Sequence, residues 1–357
     1  KPVLIKITET GEQAVYSAEP QEWGRFLRYQ YLKFDFLNIK EEGLYKIRYG
    51  TSESSIFRIA ADVYDRGVWQ PVLEYFLPVQ MCHMRVSEKY RVWHGLCHDD
   101  DAQMAPVNFN HIDGYFQGPS TLTKYKPGDF VPGLNVGGWH DAGDFDLRVE
   151  SQSGEVYILT LAYESFNVYY DVTTIDQERK VTEIHQPDGK NDILQQIEHG
   201  VLSVVGAYES LGRLYRGIIS RDLRQYVHLG DSASMTDGIK GNGDDHWVFT
   251  EDNPPRELTT AAHLAAAARA LKGFNDSLSQ RALKAAREIY QTTDGTGRAR
   301  AAKIHAAVEL LLTTGEEEYK DYLLSETEFI TGNIERVGWF IGRAEKAIND
   351  PAFTKAI

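Results

Sequence analysis

Cysteine is scarce in this sequence: 357 residues contain two, Cys82 and Cys97. So few exclude a disulfide-stapled scaffold, which needs several bridges to replace a core too small to stand alone. The pair itself admits three readings: one disulfide, two inert thiols, or two metal ligands. Long apolar runs are absent as well. No stretch approaches the roughly 20 apolar residues that span a bilayer, so nothing reads as a membrane-crossing helix. Positive charge is in deficit, with 38 Lys and Arg against 52 Asp and Glu and a formal net charge of −14. A nucleic-acid partner calls for a basic face, so that class is excluded on charge, and an acidic polymer is disfavoured as substrate. The first residues, Lys1-Pro2, carry no leader pattern. They read as a processed or trimmed end and leave the compartment open.

What is present is the make-up of a folded chain, 42% hydrophobic and 25% charged, long enough for two domains or one large one. Aromatics are plentiful: 20 Tyr, 15 Phe and 6 Trp. Most of these fill the core. The surplus in an acidic protein suits a neutral ligand with flat apolar faces, such as a sugar ring.

The first sixty residues read as about five strands. VLIKITE, QAVYSAE, LRYQYLKFDF, GLYKIRYG and SSIFRIA carry β-branched and aromatic residues between Gly, Glu and Ser turns. Five strands make most of a β-sandwich, one that looks clipped at its N-terminus. From about residue 72 the period changes. Val156, Leu159, Tyr163, Phe166 and Tyr170 recur at helical intervals over 152–171, and Ile193, Ile197, Val201, Val204, Tyr208, Leu211 and Leu214 do so over 191–216. Alanine-dense ELTTAAHLAAAARALK (257–272), a helix opened by Asp276-Ser277, and RARAAKIHAAVELLLTTG (298–315) follow, then two or three shorter helices. This part reads as all-α, built from antiparallel helix pairs. Two long stretches, 98–150 and 218–256, lack helical period and are rich in Gly, Pro, Asp, Asn and aromatics. Loops of that length are usually functional.

The first of them contains GGWHDAGDFD (137–146), with Asp141 and Asp144 three apart. Glycines open backbone conformations closed to other residues, so a tight turn there can aim both carboxylates into one cavity. One ionised carboxylate then accepts a proton from water while its neighbour fixes that water's position. An exposed turn or a cation site is the generic alternative for Asp-x-x-Asp.

GGWHDAGDFD resembles the signature of the family 9 glycoside hydrolases, whose members include cellulases and other β-glucanases. The resemblance extends through LKFDFLNIKEEGLYKIRYG (32–50), the acidic run after Cys97, LGDSASMTDG (229–238), DDHWVF (244–249) and PRELTTAAHLAAAARAL (255–271), nearly the whole chain. It implies an immunoglobulin-like β-sandwich over about 1–60 and an (α/α)6 barrel over 61–357, incomplete at the C-terminal end. It implies hydrolysis of β-1,4-glucosidic bonds with inversion, in cellulose-like or decorated β-glucans. An exo-acting glucosidase or glucosaminidase and a non-catalytic glycan-binding fragment are the alternatives. By the resemblance Asp144 is the general base that activates water and Asp141 helps hold that water. The general acid is a glutamate of a later motif, standing about 6.5–9.5 Å from the base. No such motif is found here, and neither Glu251 nor Glu257 is assigned the role. The expectation is therefore a chain inactive by itself, associating with the missing part of the barrel.

Some members with the immunoglobulin-like domain carry a structural zinc. Cys82, Cys97, His98 and His140 match its ligands, two thiolates and two imidazoles suited to a closed tetrahedral site. His111 and His94 compete for the fourth place. The resemblance also makes Trp247 a candidate to stack on a glucosyl ring, with His246 and Arg256 reaching hydroxyls. A core role that pins the loop is the alternative for Trp247, and Tyr115 and Phe116 are weaker candidates. The acidic runs HDDD (98–101) and NGDD (242–245) are candidates for calcium, with solvated loop charge as the alternative. The setting the resemblance implies is a bacterial secreted, periplasmic or cell-surface one.

Overall fold

The computed structural model describes residues 1–141, 145–221, 238–242 and 245–357. The chain forms two compact units, Lys1–Pro71 and Val72–Ile357.

The first unit is all β. Strands β1 (Val3–Thr8), β2 (Gly11–Ser17), β5 (Gly43–Tyr49), β6 (Ser52–Glu53) and β7 (Phe57–Ile59) form one sheet, while β3 (Gln21–Phe26) and β4 (Tyr29–Lys33) pair as a separate hairpin. β1 lies between β2 and β5 and is antiparallel to both, with Leu4 opposite Tyr16 and Ile47. Leu4, Ile5 and Tyr45 are its buried centre. A run of rings, Tyr16, Phe34, Phe36, Phe57 and Tyr45, packs pairwise at 5.6–6.3 Å beside them. Seven strands are present where the pattern gave about five. β3 was missed because Gln21, Glu22 and Arg25 break its apolar alternation, and a bulge near Trp23 shifts its register.

The second unit is mainly helical. A π-helical turn, Val72–Phe76, leads into α1 (Leu77–Gln80). The longer helices are α2 (Val149–Phe166), α3 (Asp192–Leu211), α4 (Pro254–Leu271), α5 (Asp276–Thr292) and α6 (Arg300–Thr314). α7 (Glu317–Ser325), α8 (Thr327–Gly332), α9 (Ile334–Ile348) and α10 (Pro351–Ala356) follow. Their ends obey local chemistry. Asn191, Asn253, Asn275 and Asp350 accept backbone N–H bonds at helix starts, and Gly212 and Gly315 close α3 and α6 in the left-handed conformation. α2 ends at Phe166, five residues before the end of the 152–171 stretch, with Asn167 left-handed after it.

The expectation of an all-α second part is corrected. Between the helices lie β8 (Arg85–Glu88), β9 (Arg91–His94), β10 (Gln103–Met104), β11 (Phe109–Asn110), β12 (Phe116–Gln117), β13 (Leu147–Arg148), β14 (Thr173–Asp176), β15 (Val181–Ile184), β16 (Gly217–Ser220) and β17 (His246–Phe249). They form two four-stranded sheets, β14-β15-β8-β9 and β10-β17-β16-β13, and the small β11-β12 pair. Each strand has two to four residues, too short for a period of two to register in the sequence. Part of each long "loop" is therefore sheet.

α2, α4, α6 and α9 meet around Tyr157. Its ring stacks on His263 at 4.6 Å and meets His305 edge-on at 5.1 Å, and its hydroxyl donates to Glu309 at 2.7 Å. Glu309 is fully buried and also takes Arg269 at 3.0 Å and Arg343. Ser153 lies beside Thr260 and His263, while Glu164 pairs with Arg269, so α2 and α4 run in the same direction. The N-terminal end of α2 carries the chain directly out of the GGWHDAGDFD stretch.

Candidate functional site

The GGWHD backbone is laced to helices on both sides. Cys82 N–H donates to Gly138 O at 2.8 Å, His140 N–H to Gln80 O at 2.9 Å, and Gly138 N–H to His199 O at 3.1 Å. The Gln152 side chain of α2 bonds both the N–H and the C=O of Trp139, and the Trp139 indole donates to Gln196 of α3 at 2.8 Å. Gly137 is required here. Its φ is +65°, and a Cβ would stand 2.1 Å from His199 O. The glycines read from sequence as turn residues thus also permit close approach of α3.

This lacing holds Asp141 at the rim of a pocket of about 310 Å³ lined by Phe76, Leu77, Gln80, Trp139, His140, Phe145 and Glu155. Arg148 pairs with the Asp141 carboxylate at 3.0 Å, and the Ser151 hydroxyl donates to it at 2.9 Å. Both come from the segment that starts α2. Asp144, expected beside it, lies outside the described residues.

Sequence reasoning missed Glu155. It rises from α2 one turn after Ser151, into the same pocket, and its Oε2 is buried with no hydrogen-bond partner among the described residues. Burial first, and the Asp141 carboxylate second, push its carboxyl up to about 7. The available signal was its spacing: Ser151 and Glu155 are four apart and therefore share a helix face.

Cys82, Cys97, His98 and His140 come together as expected. They are all buried, and their donor atoms lie within 4.8 Å of one another, a group able to hold a metal ion. Cys82 sits in a turn just past α1, after the extended C-cap residue Met81. Both thiols are free, with Sγ–Sγ at 3.8 Å, far from a disulfide bond length. Cys97 Sγ lies 3.6 Å from His140 Nε2, and Cys82 Sγ 3.0 Å from His98 Nδ1. Burial pushes the Cys82 thiol up. Cys97 is equally buried, yet donation from Cys82, His140, His94 and His98 draws it well below the ordinary thiol value. His94 stands beside this group and not within it, its ring nitrogens also meeting Gly95 O and Val79 O. His111 instead accepts from Asp113 N–H and packs near Phe249.

Of the three substrate candidates, His246 and Arg256 are buried and Trp247 is partly buried. His246, on β17, is 4% exposed, and its Nδ1 is 2.6 Å from Asp101. Arg256, at the start of α4, is 9% exposed and held 2.8 Å from Glu251. Trp247 packs edge-on to Phe109 at 4.9 Å beside Ala105, Tyr115, Ile219 and Phe249, with the Arg221 guanidinium over its ring. The loop-pinning alternative is the one this packing matches for Trp247, and His246 and Arg256 have their polar ends engaged within the protein. Tyr115 is buried beneath Arg148 and Arg216, and Phe116 belongs to β12. Of the calcium candidates, Asp99 pairs with Lys180, Asp101 with His246, and Asp245 accepts from Gly241 N–H, while Asp244 lies outside the described residues, as do residues 229–237 of the LGDSASMTDG stretch. Among the described residues no helix is long and apolar enough to cross a membrane.

Comparison with known proteins gives a consistent family. The family model described as Glycosyl hydrolase family 9 matches residues 74–345. Endoglucanase D of Acetivibrio thermocellus is 23% identical over 355 residues, covering 90% of this chain and 51% of the relative. Endoglucanase A of Fibrobacter succinogenes is 26% identical over 227 residues, covering 57% of this chain and 49% of the relative. The chain thus spans about half the length of the curated relatives it matches. Among solved structures, a Zn-binding triple mutant of the family 9 endoglucanase J30 aligns with a TM-score of 0.67 at 20% identity, over 92% of this chain and 60% of the other. A family 9 protein of Bacteroides ovatus aligns with a TM-score of 0.62 at 17% identity, over 92% and 60%.

Proposed function

The chain belongs to glycosyl hydrolase family 9, and from that membership we propose that it is part of an inverting glycosidase that cleaves β-1,4-glucosidic bonds in cellulose-like or decorated β-glucans. The observation that carries this is the anchoring of Asp141, paired with Arg148 and Ser151 at the rim of the pocket. A carboxylate so held is fixed in direction, as a group that orients water must be. In this reading Asp144 takes a proton from that water as its oxygen attacks the anomeric carbon. A glutamic acid across the sugar protonates the leaving oxygen, and no residue of this chain is assigned that part. Glu155, on α2, lines the same pocket as Asp141 and is not assigned that part. The β-rich unit is read as immunoglobulin-like, and the helices converging on Tyr157 as inner helices of an (α/α)6 barrel.

The four-donor group fits zinc. Ligands at 2.3 Å for sulfur and about 2.0–2.1 Å for nitrogen keep tetrahedral edges of about 3.8 Å S···S and about 3.5 Å S···N. The 3.8 Å and 3.6 Å edges here match, and the Cys82–His98 edge of 3.0 Å is shorter. Four protein donors leave no place for water, so the ion serves structure alone. It would tie the chain after α1 to His140, the neighbour of Asp141, and so keep the carboxylate in place without touching the sugar.

The test is product analysis of the complete protein on a panel of β-glucans, with Asp144→Ala and Asp141→Ala alongside. Each is expected to lose activity by a factor on the order of a hundred or more, with the fold retained. Near-normal hydrolysis by Asp144→Ala would defeat the base assignment.

A further inference from the structure

His98 belongs to two clusters. One is the Cys82–Cys97–His98–His140 group, and the other is His98–Asp101–His246, whose three donor atoms also lie within 4.8 Å of one another. Nothing in the proposed hydrolysis uses the second cluster. It is buried throughout, with Asp101 2% exposed.

The second cluster is a hydrogen-bonded clamp by its distances. Asp101 grips His246 twice: Oδ1 accepts the His246 backbone N–H at 2.8 Å, and Oδ2 lies 2.6 Å from its ring Nδ1. Two ligands about 2.0–2.1 Å from one metal stand roughly 2.9 Å or more apart at octahedral or tetrahedral angles. The 2.6 Å contact between Asp101 Oδ2 and His246 Nδ1 is an ion-pair distance and closer than that separation. The clamped His246 ring lies against His98, with centroids 4.2 Å apart and planes at 80°. His98 directs Nδ1 at Cys82 Sγ, 3.0 Å away, and has a φ of +52°, a conformation that a non-glycine residue keeps only when its surroundings hold it there.

We propose that Asp101 and His246 are positioning residues for the metal ligand His98, and that they form neither a second ion site nor a sugar contact. This rests on the zinc reading of the four-donor group. An outer carboxylate and imidazole fix the ring orientation of the ligand, and loss of such partners costs about 10–100-fold in metal affinity. The clamp also joins distant pieces of chain. His246 pairs with Ser220 across β17 and β16, and β16 pairs with β13, where Arg148 holds Asp141. The metal and the carboxylate are thereby supported by the same small sheet.

The experiment measures Zn²⁺ affinity by chelator competition for the wild-type protein, Asp101→Asn and His246→Gln. Ion stoichiometry and the visible spectrum of the Co²⁺-loaded forms are recorded alongside. The expected result is one ion in the wild-type protein, a 10–100-fold weaker affinity in each variant, and shifted Co²⁺ bands in variants whose far-ultraviolet circular dichroism is unchanged. A change in packing alone would leave the Co²⁺ bands where they are. Affinity and bands equal to wild type in either folded variant would overturn the inference. A second ion lost in Asp101→Asn would replace it with a second metal site. Absence of any bound ion in the wild-type protein would instead sink the zinc reading beneath it.

Discussion

Replacing Glu155 by Gln tests whether the pocket beside Asp141 is as dry and as negative as its geometry implies. In the folded chain burial first, and the Asp141 carboxylate second, raise the Glu155 carboxyl from 4.5 to about 7. The folded state therefore holds this proton more tightly than the unfolded chain does. Its stabilising effect is complete below about pH 4.5 and is lost as pH rises through about 7. A shift of that size corresponds to about 3 kcal/mol at most, since each unit is worth about 1.4 kcal/mol and the pocket is open to water on one side. Glutamine keeps the shape and carries no charge at any pH. Glu155→Gln should match wild type at pH 4 and become more stable than it between pH 5 and 8, by up to about 3 kcal/mol. Urea unfolding followed by tryptophan fluorescence, at pH 4, 6 and 8 and fixed free zinc, reads the difference. Asp141→Asn removes only the lesser cause and should leave most of the pH dependence. A stability difference that is the same at pH 4 and pH 8 would refute the reasoning.

Three further outcomes follow from the same packing. Gly137→Ala, whose Cβ would stand 2.1 Å from His199 O at a φ of +65°, should cost at least about 3 kcal/mol in denaturant unfolding; a loss below about 1 kcal/mol would mean that α3 yields easily. Glu309→Ala leaves Arg269 and Arg343 without their buried carboxylate and should cost about 3–5 kcal/mol, with a neutral result in the same assay counting against a tight Tyr157 junction. Chelation of the metal should lower the Tm, by the equivalent of about 4 kcal/mol relative to free zinc at a thousandfold excess over Kd, and an unchanged Tm would argue for a merely thiol-lined pocket.

Helix positions were legible because their signals are local. The apolar period of 191–216 and the Asn191 cap lie within a few turns of one another, and α3 forms where they point. The four metal-ligand candidates were legible through residue type and family pattern, and folding brings them together from three separate stretches. The short strands of the second unit escaped notice because two to four residues carry no period. β17 exists because β16 and β10 lie on either side of it, and both partners are remote in sequence.

By itself, the sequence determined the division into a β-rich start and a helical remainder, the family, the carboxylate-bearing stretch and the set of thiolates and imidazoles. Each of these depends on residue type, local period or spacing. Tertiary structure alone decided which way those side chains turn. His246 and Asp101 are 145 residues apart, yet the fold sets them 2.6 Å from each other. Glu155 became noteworthy only when folding buried it beside Asp141. Burial and through-space charge are properties of neighbours, and neighbours are assigned by the fold.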